Sequence, residues 1–466
     1  MYQMKMADDK IIEGDVDLIK TLPDVILQDI LCFIPTKLAI TTSLLSRRWR
    51  HVWCDIPSIS LDVDTLTAAS VNETLTRYKA TKTKSFHLII TTMMGNIPHI
   101  DSWIEGAMSR DVENLSLDFL HHYYKYKLHD FFYYTYSFKQ LDITLSYDRH
   151  TIFPLECTVS WTSLQKLSLT NCSLFDKLLA KILSGCPVLK YLRLYECGEL
   201  KILDLSKFLR LKILEVIRHL PVQGPKKILA PHIHCLKLHD SQLSCTLVDV
   251  ASLTEANLEM SPRSLNREFN GDFLQGMVLK MLEKLKNAEK LTLGRNFTEI
   301  LSLAEIHGVP FPMFKLEKLT VVEGRGRFYM PVEFLDKYLK SQGFNVNKCW
   351  RSKDGASWNK YCKDLKSEHV ASLVELVLKN TEKLDKMVVL LDDHFLKFKI
   401  EDVVRWEDIE IVAKAGADQI LVEEDDAAVD IVDNPCLLRE LTSIALRASS
   451  SGVFTISRSR DDREAE

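Results

Sequence analysis

The sequence predicts an α/β chain in which three short N-terminal helices precede an irregular solenoid of parallel strands, closed by a small α+β cap. Three observations predict it. Leu164-x-x-Leu167-x-Leu169-x-x-Cys172 recurs 25 residues later as Leu189-x-x-Leu192-x-Leu194-x-x-Cys197. Helix signals separate such units, and a compact run of helical signals lies between Leu22 and Trp53. Repetition at a fixed period of this length marks stacked supersecondary units that share one core.

The N-terminal helices come first, after a polar segment (residues 1–18) read as flexible. Pro23 suits a first helical position and Asp24 lies where the helix dipole favours negative charge. Ile26, Ile30 and Phe33/Ile34 recur at helical spacing, Leu27 and Leu31 widen the stripe, and Pro35 blocks continuation. Thr36 and Ser46 are the expected N-caps of the next two helices. So few residues cannot enclose a self-sufficient core, so the helices must lean on a partner or on the following domain. Arg47-Arg48-Trp49-Arg50 is read as a solvated basic face with tryptophans turned inward.

The order Leu22-Pro23-Asp24, the Ile/Leu pairs, Pro35-Thr36-Lys37 and Leu45-Ser46-Arg47-Arg48-Trp49-Arg50-x-x-Trp53 resembles an F-box, placed at residues 19–62. The resemblance implies a partner, the Skp-type adaptor of a cullin-RING ubiquitin ligase, and through it the cullin and RING subunits. Carried over by position, the adaptor contacts would be Leu22, Pro23, Ile26, Leu27, Ile30, Leu31, Ile34, Pro35, Leu44, Trp49 and Trp53. Some of these must instead hold the helices together.

The repeats are placed at residues 80–345. Phe138-x-x-Leu141-x-Ile143 precedes Leu164 by 26 residues, Val112-x-x-Leu115-x-Leu117 lies another 26 earlier, and Leu88 with Ile90 fits one step before. Forward, the period becomes irregular through Leu200-x-x-Leu203-x-Leu205, Leu211-x-x-Leu214-x-Val216, Ile233-x-x-Leu236-x-Leu238, Leu253-x-x-Ala256-x-Leu258, Ala288-x-x-Leu291-x-Leu293 and Leu316-x-x-Leu319-x-Val321. This is leucine-rich-repeat grammar. Each core alternates with period two, as a strand with one buried face requires, and Asp176 to Gly185 reads as an intervening helix stopped by its glycine. Between Leu258 and Leu291 a longer helical stripe runs from Phe273 to Leu285, read as core.

Such arrays line a concave face with parallel strands, and the outward strand residues are its default binding surface. By register these include Lys166, Ser168, Thr170, Tyr191, Arg193, Tyr195, Lys237, His239, Glu255, Asn257 and Glu259. Tyr191, Arg193 and Tyr195 alternate on one strand and belong to residue types enriched at interface hot spots. The set from Tyr191 onward is the candidate target-binding surface.

After Val321 the chain changes character. Glu368 to Asn380 reads as a helix, and the apolar run Leu384-x-x-Met387-Val388-Val389-Leu390-Leu391 as a strand. The segment 346–402 is similar to the end of the FBD segment that follows leucine-rich repeats in many plant F-box proteins, and is read as a cap. Residues 403–466, with the acidic run Glu423-Glu424-Asp425-Asp426, have no counterpart in that resemblance and read as a partly disordered tail.

Composition narrows the function. With 466 residues, 46% hydrophobic and 27% charged, the chain can bury a sizeable core. A net charge of −4 argues against a nucleic-acid partner. Met1 to Lys20 lacks an apolar signal-peptide core and no run reaches the length of a membrane span, so a cytoplasmic or nuclear location is expected. The 11 cysteines include no Cys-x-x-Cys pair, so reduced thiols and no metal are expected, although His232-Ile233-His234-Cys235 gathers three possible ligands. The four Asn-x-Ser/Thr sequons, at Asn72, Asn114, Asn171 and Asn296, would matter only in a secreted chain.

There is no P-loop, Gly-x-Gly-x-x-Gly, His-Glu-x-x-His or Gly-x-Ser-x-Gly, and no cofactor is implied. The resemblance therefore implies a non-catalytic adaptor, one end holding the ligase and the repeats holding a target for ubiquitination. The rival readings are a repeat scaffold that assembles no ligase, and a hydrolase whose triad comes from distant positions.

Overall fold

The structure, a computed structural model, describes residues 22–63, 66–90, 97–120, 126–146, 152–154, 158–218, 224–240, 246–260, 280–294, 313–322, 380–381, 386–390, 409–415 and 452–458. Contacts divide the chain into unit 1, Met1–Ile143, and unit 2, Thr144–Glu466.

Unit 1 opens with helices α1 (Asp24–Leu31), α2 (Thr36–Thr41) and α3 (Trp49–Val52). Pro23 is the residue before α1, its extended ψ of 151° setting the entry, and Asp24 occupies the first turn. Arg48 clamps that end, donating from Nε and Nη2 to Asp24 Oδ1 at 3.0 and 2.8 Å and from Nη2 to the Leu22 carbonyl. One arginine of the basic cluster thus ties the helices together.

Ser46 Oγ accepts from the Trp49 amide at 3.4 Å, but the residue before α3 is Arg48, which caps nothing with its side chain, so Ser46 is not the expected N-cap. Thr36 does not cap α2 as expected. It is the first helical residue, buried, and its Oγ1 accepts the Ser60 amide at 2.7 Å, which fastens α2 to the next strand.

That strand, β1 (Ser58–Asp62), starts a sheet earlier than the leucine spacing indicated. Helix α4 (Ala68–Arg77) follows, capped by Thr67 Oγ1 on the Ser70 amide, then β2 (Ser85–Ile90), α5 (Ile97–Met108) and β3 (Asn114–Phe119). The strands run parallel, with Leu61 beside Leu88 and Leu88 beside Leu117. All three are fully buried. Asn72 Oδ1 accepts from Trp103 Nε1 at 2.7 Å, joining α4 to α5.

The helices lean on this layer as their size demands: Lys79 N–H donates to the Cys54 carbonyl at 2.7 Å and Tyr78 Oη to the Ile56 carbonyl at 2.6 Å. A short strand β4 (Tyr134–Thr135) precedes β5 (Gln140–Leu145), which neighbours β3 and in which the division between units falls.

Unit 2 contains β6 (Ser160–Trp161), β7 (Lys166–Thr170), α6 (Asp176–Ser184), β8 (Tyr191–Tyr195), β9 (Ile202–Asp204), β10 (Ile213–Arg218), β11 (Lys227–Leu229), β12 (Cys235–Asp240), β13 (Thr246–Asp249), β14 (Glu255–Met260), β15 (Lys290–Leu293), β16 (Lys318–Val322) and β17 (Lys386–Leu390). Its front sheet runs β7-β8-β10-β12-β14-β15-β16-β17 and is parallel throughout. One inward row reads Leu167, Leu192, Leu214, Leu236, Ala256, Leu291 and Leu319 in register, every member at most 2% exposed. Removing such side chains from water is the main stabilising contribution, on the order of 1.5–3 kcal/mol each.

Leu200 to Leu205 is a correction. It shares the repeat spelling, yet β9 belongs to a second sheet, β13-β11-β9, parallel and three-stranded. Only a short stretch separates it from β8, too little for an excursion and return to the front sheet. Where α6 backs one repeat, short strands back the next ones.

The stop at Gly185 is also a packing requirement: a Cβ there would lie 2.1 Å from the Val159 carbonyl oxygen. Of the Phe273–Leu285 stripe, only residues 280–285 are described. Residues 280–284 are helical, with Met281, Leu282 and Leu285 buried.

Most of the FBD-like segment lies outside the described residues, but its apolar run is β17, parallel to β16. Beyond residue 402 the described residues are two strands, β18 (Ile409–Ala415) and β19 (Gly452–Arg458). They are antiparallel to each other, and β19 is antiparallel to β17. Their β-branched runs, Ile409-Glu410-Ile411-Val412 and Val453-Phe454-Thr455-Ile456, suit that state.

Among the described residues no helix is long and apolar enough to cross a membrane.

Candidate functional site

Three surfaces carry the candidate residues. The first is helical. Of the expected adaptor contacts, Leu27, Leu31 and Trp53 are buried and bind the helices to one another. Leu22 and Trp49 are half-buried, while Pro23, Ile26, Ile30, Ile34, Pro35 and Leu44 are exposed. Sequence reading passed over Val25, Phe33, Leu38 and Leu45 as contacts. All four are exposed, Phe33 to 88%. The signal was present, since this stretch holds more apolar side chains than three short helices can bury.

The second surface is the outward face of β1, β2 and β3. Ser60 Oγ lies 3.3 Å from His87 Nδ1, and His87 Nε2 lies 2.9 Å from Asp118 Oδ2. Hydroxyl, imidazole and carboxylate in this order can activate a nucleophile. Here the Ser60 amide, the usual oxyanion donor beside a nucleophile, is committed to Thr36 Oγ1, and His87 stands 36% exposed on an open sheet face. The chain of bonds serves to hold three strands in register. Asn114 Nδ2 to Ser85 Oγ at 3.2 Å adds a further bond between neighbouring strands, while Gln140 Nε2 to Asp142 Oδ2 at 2.7 Å links two outward residues of β5 itself.

The third surface is the outward face of unit 2. Ser168, Arg193, Glu215, Lys237 and Asn257 form one cross-strand row, and Thr170, Tyr195, Ile217, His239 and Glu259 the next. Arg193 Nε lies 3.5 Å from Glu215 Oε2 and its guanidinium 5.4 Å from the Tyr195 ring centre, while His239 Nε2 lies 3.5 Å from Glu259 Oε2. Tyr191, Arg193, Tyr195, Lys237, His239, Asn257 and Glu259 are half-buried and Glu255 is exposed, so the expected set shares one face. Ser168 and Ile217 depart from the alternation, both being buried although their register is outward, so Ser168 does not belong to the exposed surface expected of it.

Just past the strand ends, Asn171 and Glu196 repeat each other. Both adopt positive φ (56° and 52°), and their amides donate at 2.8 Å to the Tyr195 and Ile217 carbonyls of the next strand. Asn171 Nδ2 also donates to the Leu145 carbonyl at 2.8 Å, so this sequon asparagine is buried and engaged. The following Cys172 and Cys197 are buried thiols. A hydrogen bond with Cys197 that favours the neutral thiol, together with burial, pushes the Cys172 thiol well up, and burial alone pushes Cys186 up to about 12. Neutral thiols of this kind act as small apolar side chains.

Among the described residues no group of three or more His, Cys, Asp or Glu is placed to hold a metal. In the His232 to Cys235 run, His234 Nδ1 lies 3.1 Å from the His232 carbonyl oxygen.

Residues 19–60 match the F-box domain family, and residues 74–294 match the family described as At1g61320/AtMIF1, LRR domain. The chain is 50% identical over 417 residues to the putative F-box/LRR-repeat protein At3g18150 of Arabidopsis thaliana, covering 83% of this chain and 90% of that one. It is 42% identical over 416 residues to the F-box/LRR-repeat protein At3g03360 of the same plant, covering 81% and 85%. A third relative there, the F-box/LRR-repeat protein At5g02910, is 42% identical over 423 residues, covering 84% and 91%.

Proposed function

The chain belongs to the F-box/LRR-repeat protein family, and from that membership we propose that it is the substrate-recognition subunit of an SCF-type cullin-RING ubiquitin ligase. The F-box helices bind a Skp-type adaptor, and through it the cullin and RING subunits, while the repeats bind the protein to be ubiquitinated. The observation that carries this reading is the crowding of exposed apolar side chains. Of the 16 exposed large hydrophobic residues among those described, Val25, Ile26, Ile30, Phe33, Ile34, Leu38, Leu44 and Leu45 lie in one short helical stretch. A patch of that density marks a surface that a partner covers.

The chain's contribution is proximity. Holding ligase and target on one chain turns ubiquitin transfer to a target lysine into an effectively intramolecular encounter, with the reactive thioester supplied by another subunit. No group of this chain needs to react.

Co-expression with a Skp-type adaptor and cullin tests the reading. The three are expected to copurify in stoichiometric amount. Ile30→Asp combined with Phe33→Asp is expected to weaken adaptor binding at least about thirtyfold, since both side chains are exposed and would take a charge into the interface. A folded wild-type chain that retains no adaptor would leave a repeat scaffold acting without a ligase.

A further inference from the structure

The outward face of unit 2 is not uniform in charge. On β7, β8, β10 and β12 the outward residues include Lys166, Arg193 and Lys237 against the single carboxylate Glu215, itself drawn toward Arg193 at 3.5 Å. Lys190 and Lys212, exposed immediately before β8 and β10, add two more cations to the strand-start edge. Carboxylates collect further along, with Glu255 and Glu259 on β14. Among the described residues neither Lys166 nor Lys237 enters an ion pair. Tyr191 and Tyr195 stand among these cations on β8, each half-buried, offering ring surface beside the charge.

We infer that the part of this face formed by β7, β8, β10 and β12 receives an extended Asp/Glu-rich peptide segment of the target. The inference rests on the target-binding reading and narrows it to one chemistry. Lys166 and Lys237 stand three strand spacings apart across the sheet, about 14 Å, and two residues apart along the strands, about 7 Å, so their Cα atoms are about 16 Å apart. Same-side residues four apart in an extended peptide span about 13–14 Å, a difference that flexible lysine side chains can close. A peptide laid across the strands therefore sets spaced carboxylates over spaced lysines, with an apolar side chain between them against the tyrosines.

The alternatives fit less well. A phosphate group calls for convergent, forked donors, and the single arginine here is already occupied by Glu215 and Tyr195. A nucleic-acid backbone would run its unbroken negative charge past Glu215 and on toward Glu255 and Glu259.

The test selects random 12-residue peptides on the immobilised complex of the full chain with its adaptor, then measures affinities of the recovered sequences. Recovered peptides are expected to be rich in Asp and Glu, to bind more weakly as salt is raised, and to bind the Lys166→Glu/Lys237→Glu variant about tenfold or more weakly. Lys166 is exposed and Lys237 half-buried, and neither enters the inward row, so the variant should keep its near-ultraviolet circular dichroism and its adaptor.

Recovery without charge preference, enrichment in Lys and Arg, or affinity unmoved by the double variant would each overturn the inference. So would binding that requires phosphoserine, or a random single-stranded RNA that displaces the peptides. Loss of the adaptor from the wild-type chain would instead count against the ligase reading, because peptide recovery is scored independently.

Discussion

In unit 1 the outward strand positions hold Ser58, Ser60, Asp62, Ser85, His87, Ile89, Asn114, Ser116, Asp118, Gln140 and Asp142, and among the described ones there is no lysine or arginine. In unit 2 the equivalent positions include Lys166, Tyr191, Arg193, Tyr195, Glu215, Lys237 and Glu255 beside shorter groups such as Ser168, Thr170 and Asn257 and the His239–Glu259 pair. The backbone alternation is the same, and the difference lies in side-chain reach. Short polar groups on neighbouring strands bond to each other, as Ser60, His87 and Asp118 do, and leave little to offer a partner. Long cations and tyrosines reach further from the backbone, and under the proposed function that reach serves the target. On the same reading unit 1 presents its partner surface on helices, and unit 2 presents its own on strands.

The comparison breaks first if the two units do not share one kind of core. Leu88→Ala in unit 1 and Leu192→Ala in unit 2 remove equivalent, fully buried side chains, and each is expected to destabilise by about 2–5 kcal/mol. Chemical denaturation of the two variants checks this. A small effect in one unit alone would mean that its inward row does not bear the load of the fold.

The inward rows were legible because only a period-two strand with one buried face needs that leucine spacing, and the F-box helices because their proline and apolar signals are local, whereas Thr36 is helical and bonded to Ser60 where a cap was expected. The outward faces were less so. Ile217 alternates as a surface residue and is buried, while Glu196 looks like an ordinary surface acid and lies 2% exposed in a left-handed turn. Those outcomes depend on neighbouring repeats, which no local pattern encodes. Likewise β9 has the spelling of a front strand, because inward leucines on either layer follow the same rule. Phe33 was assigned to the helix stripe and not to the surface, since burial in so small a bundle depends on which face the following strand occupies.

Two glycines sharpen the comparison with effects of opposite sign. Gly185→Ala in unit 2 places a Cβ against the Val159 carbonyl, backbone immediately before β6, and is expected to cost about 1–3 kcal/mol. Gly106 sits within α5 of unit 1, where a Cβ would meet nothing closer than Arg110 Nη1 at 3.6 Å. Gly106→Ala is expected to stabilise by about 0.5–1 kcal/mol through helix propensity. Thermal melts of both variants give the signs directly, and a destabilising Gly106→Ala would show that helix α5 is constrained by something other than its own backbone.

The smallest effects separate the two outward faces themselves. His87→Ala removes the centre of a two-bond chain, leaving Ser60 and Asp118 without their partner, and is expected to cost about 1 kcal/mol of stability without altering target binding. Glu215→Gln loosens a partly exposed pair whose atoms are 3.5 Å apart, and pairs of that kind contribute only about 0.2–1 kcal/mol. Its stability change is expected to stay below about 0.5 kcal/mol, while removal of the one carboxylate among Lys166, Arg193 and Lys237 frees Arg193 and should tighten an acidic peptide several-fold. If instead His87→Ala altered peptide affinity and Glu215→Gln only stability, the roles of the two faces would be exchanged, because a side chain whose bonds are spent on its neighbours should register in folding and one that faces a ligand should register in binding.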